Sequence, residues 1–181
     1  MNFYYNGTDI YNDVSVNYCV HEMFAEKQAD TLVIRFNDTK GIWSKWQPAA
    51  GDTVRFKEGA SDTGKMFIHS MKPENGLFTI RAMSMPKTAK IRKSKSWEGV
   101  RFLQLANEFA GNHGLTFKNY GCEDQVYPYI KQSNEGDFSL FSRLCMLEGC
   151  QMLIFDGSLL AYNEHYIEQQ EPAGSLTVDE N

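Results

Sequence analysis

With 181 residues, 42% hydrophobic and 23% charged, the chain has enough material for one domain or two small ones and for a core without disulfide staples. A net charge of -5 argues against a generic nucleic-acid binder, whose domain is usually strongly basic. No apolar run approaches the ~18 residues of a membrane-spanning helix, and the opening MNFYYNGTDI lacks the basic-then-apolar layout of an export signal.

The first half reads as a β-meander. In residues 31–36, Leu32, Ile34 and Phe36 alternate with Thr31, Val33 and Arg35, and Val54 and Phe56 repeat the pattern in residues 53–57. Further strands are expected at residues 14–20, 42–46, 65–71 and 77–83, the last two joined across Asn75-Gly76, a strong hairpin signal. Six short strands between turn residues predict an antiparallel β-barrel over residues 1–86, closed because open edges invite aggregation. Apolar residues on both faces, as at Val33 beside Ile34, fit a wall that meets a partner as well as its own core.

The period changes after Pro86. Lys87, Lys90, Arg92, Lys93 and Lys95 fall within nine residues, and residues 87–95 are expected to be a basic linker. Three readings of this stretch stand side by side: a solvated linker, a contact with an acidic surface on a neighbouring subunit, or a strip facing DNA. From Trp97 to about Asn112 the residues Val100, Leu103, Ala106, Phe109 and Ala110 recur at helical steps, with Ser96 as the expected cap. A second helix is expected from Asp137 as cap, through Phe138, Phe141, Leu144 and Cys145, to Gly149. Residues 151–155 and 158–162 then form a hairpin across Asp156-Gly157. Residues 96–163 are thus a small α/β domain of two helices on a short sheet, and the fold class is α+β.

Chemistry-bearing patterns are sparse. His21, His69, His113 and His165 lie far apart, and P-loop, G-x-G-x-x-G and G-x-S-x-G motifs are absent. Cys19, Cys122, Cys145 and Cys150 include no C-x-x-C pair and are expected to be reduced, partly buried thiols. Glu123-Asp124 and Asp179-Glu180 are sequence neighbours, which does not supply the facing geometry of a glycosidase. No catalytic residue, metal or cofactor is expected. Trp43 and Trp46 are expected to pack the barrel end or a subunit contact, and Trp97 to anchor its helix against the barrel.

The residues Asp38, Gly41, Trp43, Trp46 and Pro48, followed by Gly51-Asp52 before a strand, resemble the baseplate hub proteins of contractile phage tails, the late control D or gp27-like family. Met85-Pro86-Lys87, Ser96-Trp97-Glu98-Gly99, Gln132, Gly136-Asp137-Phe138 and Leu147-Glu148-Gly149-Cys150 follow in the family's order, so the resemblance covers residues 19–162. It implies a structural role in the virion baseplate, with assembly in the host cytoplasm. Hubs of this family are trimers that match the symmetry of the tail tube to that of the central spike, and DNA passes through their channel without specific binding. Lys87, Lys90, Arg92, Lys93, Lys95, Trp43 and Trp46 are then candidate subunit or channel contacts. The alternatives are a tail-borne wall-degrading or carbohydrate-binding module, and the hub or spike of a related contractile injection or secretion system. Family members continue into a second barrel, so residues 164–181 are expected to be a polar tail or the start of that barrel.

Overall fold

The computed structural model describes residues 1–24, 29–172 and 174. The chain is α+β and mostly antiparallel. Its first part contains β1 (Asn2–Tyr5), β2 (Thr8–Asp9), β3 (Ser15–Glu22), β4 (Thr31–Asn37), helix α1 (Ile42–Trp46), β5 (Thr53–Glu58), β6 (Ser61–Asp62), β7 (Met66–Glu74) and β8 (Leu77–Met83). These strands make one sheet in the order β2-β1-β5-β7-β8-β4-β3, with β6 added to β5.

That sheet is rolled. Phe3 on β1 and Phe36 on β4 lie four strand spacings apart along the ladder, roughly 19 Å if it were flat. Their ring centroids are 5.3 Å apart. The side chains meet, but the hydrogen-bonded closure expected of a barrel is not made: among the described residues no ladder joins β2 to β3. The inward set is the one the alternation indicates: Leu32, Ile34 and Phe36 on β4, Val54 and Phe56 on β5, and Phe78, Ile80 and Ala82 on β8. The hairpin between β7 and β8 turns at Asn75-Gly76, where φ of 47° and 76° require residues that tolerate the left-handed region.

Residues 42–46 form a helix, not the expected strand. Trp43 and Trp46 are spaced for one face of a helical turn, and Asp38 Oδ1 accepts from Ile42 N at 2.6 Å, holding the first turn.

After a 3-10 turn at Lys87–Lys90, the second part consists of β9 (Lys93–Arg101), α2 (Phe102–Asn112), β10 (Thr116–Tyr120), β11 (Val126–Glu135), α3 (Asp137–Leu147), β12 (Gln151–Phe155), β13 (Ser158–Tyr162) and α4 (Glu164–Glu168). β9 and β11 form a two-stranded ribbon, and β10-β13-β12 form a sheet in which β10 and β13 are parallel. The helix expected from Trp97 begins only at Phe102. Residues 93–101 find a long-range partner in β11, and Gly99 sits at φ 59°, outside the right-handed helical region. Ser96 therefore caps nothing; Asp124 Oδ1 takes that place by accepting from Leu103 N at 2.9 Å.

Phe102, Leu105 and Phe109 of α2 meet Phe141 and Leu144 of α3 in a second core, with Phe102 stacked on Phe141 at 5.2 Å. β7 joins the two cores. Met66 and Ile68 point into the rolled sheet while Phe67 points the other way, into the helical core. Beside it, the Asp156-Gly157 turn docks on the rolled sheet: Lys65 N donates to Asp156 Oδ1 at 2.9 Å, and Arg55 lies 3.6 Å from the same oxygen. A Cβ on Gly64 would stand 3.1 Å from Asp156 Cβ, so glycine permits the approach.

Candidate assembly surface

The Asp38-to-Pro48 segment folds as a plug at one end of the rolled sheet. Gly41, at φ 63°, turns the chain into α1 and drives Trp43 inward, where it is 1% exposed. Trp43 stacks on Phe78 at 5.3 Å with 6° between ring planes, and meets Phe36 at 4.7 Å and Tyr5 at 5.9 Å. Of the tryptophan pair named as candidate contacts, Trp43 is therefore core, because a face so enclosed has nothing left to offer a partner. Trp46, edge-on to it at 5.3 Å, is 40% exposed beside a shallow cleft formed with Tyr5, Asn6, Thr8 and Ile10.

The five basic residues separate into two groups. Lys93 turns inward and donates to Asp137 Oδ2 at 2.9 Å; Lys95 donates to Glu108 at 2.6 Å and lies over the Trp97 ring. Both belong to β9. Lys87, Lys90 and Arg92 remain exposed, with no ion pair among the described residues. Trp97 packs against the helical core: its ring meets Phe109 and its Nε1 donates to Glu108.

The stretch linking the two cores is a pinned strap. At its start, Asp30 N donates to Ser84 Oγ and His69 Nε2 meets the Met85 carbonyl at 2.8 Å. At its end, Thr88 Oγ1 meets His113 Nδ1 at 2.9 Å, and the Ala89 carbonyl lies so close to Gly136 that a Cβ there would approach it to 2.8 Å. Behind the strap, Asp137 is 1% exposed and fully engaged: Lys93, Asn112 and His113 converge on Oδ2, and Gln132 donates to Oδ1 at 2.9 Å. Burial alone raises its pKa, but the donors Gln132, Lys93 and Asn112 outweigh burial and hold the carboxyl below its ordinary value. Burial, aided by Lys93, pushes His113 below the usual histidine range despite Asp137. Asp137 is the first residue of α3, and the expected cap position belongs to Gly136.

The neighbouring carboxylates have structural duties. Asp124 binds Arg101 at 2.6 Å and caps α2, while Glu123 accepts from Gln125. Cys122, Cys145 and Cys150 are buried free thiols, and burial pushes Cys145 up to about 12. Among the described residues, no three His, Cys, Asp or Glu side chains are grouped to hold a metal, and no helix is long and apolar enough to cross a membrane. The residues that sequence reasoning missed are Asn112, His113 and Gln132 as partners of Asp137. No short-range signal marks them, because they come from the end of α2 and from β11, which only the fold brings to the start of α3.

No family model and no curated protein sequence matches the chain. Solved structures do match its fold. A 43 kDa tail protein of prophage MuSo2 from Shewanella oneidensis superposes with a TM-score of 0.65 at 12% identity, over 89% of this chain and 53% of that one. A tail protein from Neisseria meningitidis MC58 gives 0.64 at 11% identity, over 88% and 49%. An Escherichia coli type VI secretion component, itself similar to the bacteriophage T4 tail proteins gp27 and gp5, gives 0.61 at 14% identity, over 90% and 49%. The rolled sheet followed by this α/β unit is thus a fold of tail-type proteins, and the chain spans about half the length of those it matches.

Proposed function

We propose that the chain is a structural component of a phage or prophage tail, acting in the baseplate hub between tail tube and central spike. The observation that carries this is the match of the fold, over 88–89% of the chain, to a prophage tail protein and to a second bacterial tail protein. The role is mechanical. Asp124 caps a helix and Asp137 satisfies buried donors.

In this reading three copies surround the axis, the rolled sheets form the wall, and Trp46 and the exposed cations lie at contacts between chains. DNA passes through without being gripped, since each neutralised phosphate would add affinity and salt dependence that oppose ejection. The particle is assembled in the host cytoplasm. The shared fold of the Escherichia coli type VI secretion component supports a second setting for the same role, a related injection or secretion system.

Co-expression with the tube and spike proteins of the same tail tests the proposal. Affinity capture of this chain is expected to retain both, and recovery of the chain alone, with tube and spike assembling normally without it, contradicts it.

A further inference from the structure

The strap and α4 present complementary surfaces at opposite ends of one helix. The Gly136 end of α3 lies under the strap, against the Ala89 carbonyl. The other end lies by α4, where Asn163 Nδ2 donates to the Gly149 carbonyl at 3.4 Å. The eleven residues of α3 separate these ends by about 16 Å. On the strap, Lys87, Lys90 and Arg92 surround Ile91, which is 56% exposed at the rim of an apolar cleft with Phe67 and Pro86. Around α4, Glu164, Glu168 and Glu171 are exposed beside Tyr166 and Ile167, which are 41% and 45% exposed.

One surface is cationic with an apolar centre; the other is anionic with an apolar centre. Among the described residues neither is neutralised: the strap cations have no ion pair, and of the three acids only Glu168 has an ionic neighbour, His165 at 4.0 Å. The spacing along α3 keeps the two surfaces apart within one molecule but leaves them free to meet between molecules.

We propose that α4 of one copy docks on the strap of the next, with Tyr166 and Ile167 covering Ile91 and its cleft while the acids face Lys87, Lys90 and Arg92. The occupant is a second copy of this chain, chosen by charge: a chain of net charge -5 repels its copies except where a local cationic patch meets an acidic one. The contact is heterologous, head to tail, so repetition gives a ring where the rotation closes. It deepens the hub reading and rests on it for its biological setting.

A charge swap read by sedimentation decides the matter. The wild-type chain is expected to self-associate, more weakly as salt rises. Reversing the strap (Lys87→Glu, Lys90→Glu, Arg92→Glu) or reversing α4 (Glu164→Lys, Glu168→Lys, Glu171→Lys) is expected to weaken association by about tenfold or more. All six changes in one chain are expected to restore it. Monomeric wild-type protein, or association unaffected by either reversal, or a six-fold variant no better than its halves, overturns the docking. Circular dichroism of each variant confirms that the fold is retained, and the exposed positions make that the expected result. Capture with tube and spike proteins, measured in parallel, separates the two ideas: retained capture without self-association defeats only this contact.

Discussion

Around Trp43 the rolled sheet packs ring against ring, with Tyr5, Phe36, Phe78 and Trp46 all within 6 Å of it, whereas behind the strap the α/β unit surrounds one carboxylate, Asp137, with four donors. The aromatic plug is assembled from nearby loops and strand ends, and area is its main currency. The polar knot is assembled from β9, α2, β11 and α3, and its requirement is directional: each donor satisfies only the oxygen it faces. A region filled by rings tolerates changes of pH and salt. One pinned by a buried acid ties several elements to a single position and makes that position sensitive to protons.

The largest expected break is Trp43→Ala. Removing the plug leaves a cavity under Phe36 and Phe78, at a cost of about 3–5 kcal/mol, and lowers the melting temperature by roughly 6–20 °C in a scan of the purified chain. A change under 1 kcal/mol would mean that the ring packing contributes little.

Asp137→Asn comes next. Asparagine keeps the shape but loses the charge that Lys93 neutralises and places an NH2 group among donors, so a loss of about 2–3 kcal/mol is expected in urea unfolding. The readout that distinguishes a knot from simple packing is tryptic cleavage after Lys87, Lys90 and Arg92. It should accelerate in Asp137→Asn and stay unchanged in Asp38→Ala. The latter removes the α1 cap at the far end of the sheet and costs about 1 kcal/mol.

The smallest effect is that of pH, and its part near neutrality should act at the strap, where His69 and His113 sit. His69 and His113 both have folded pKa values lowered first of all by burial. The unfolded chain therefore takes up protons first, and the stability these residues contribute is complete above the ordinary histidine value of 6.5 and declines as pH falls below it. Asp137 and Asp124, held below their ordinary value, contribute stability that is lost only as pH falls below about 4. His113→Gln should flatten the first decline and leave the second; an unchanged profile between pH 7 and 5 would contradict the assignment to the strap. Amide exchange would place the first loss at the strap and α2, not at α1.

What the amino-acid pattern showed depended on how far apart the interacting residues lie in the chain. The alternation of Leu32, Ile34 and Phe36, the Asn75-Gly76 turn and the Asp156-Gly157 hairpin are local, and each was legible. The α1 helix was also local, but its five residues were read as a strand because the cap at Asp38 lies four residues before the helix begins. The strand Lys93–Arg101 was not legible, since its ladder partner starts twenty-five residues later and its own composition carries both periods. For the candidate surface, the cluster of cations was visible in the sequence. Which of them remain free was not, because the carboxylates that occupy Lys93 and Lys95 come from α3 and α2.

Cryo-electron microscopy of purified tails carrying a tagged copy of this chain tests the central claim most directly. The account predicts density for the rolled sheet and α/β unit in a ring on the tail axis, between the last layer of tube and the spike. Intact tails without the chain, or with it bound away from the axis, would contradict the account.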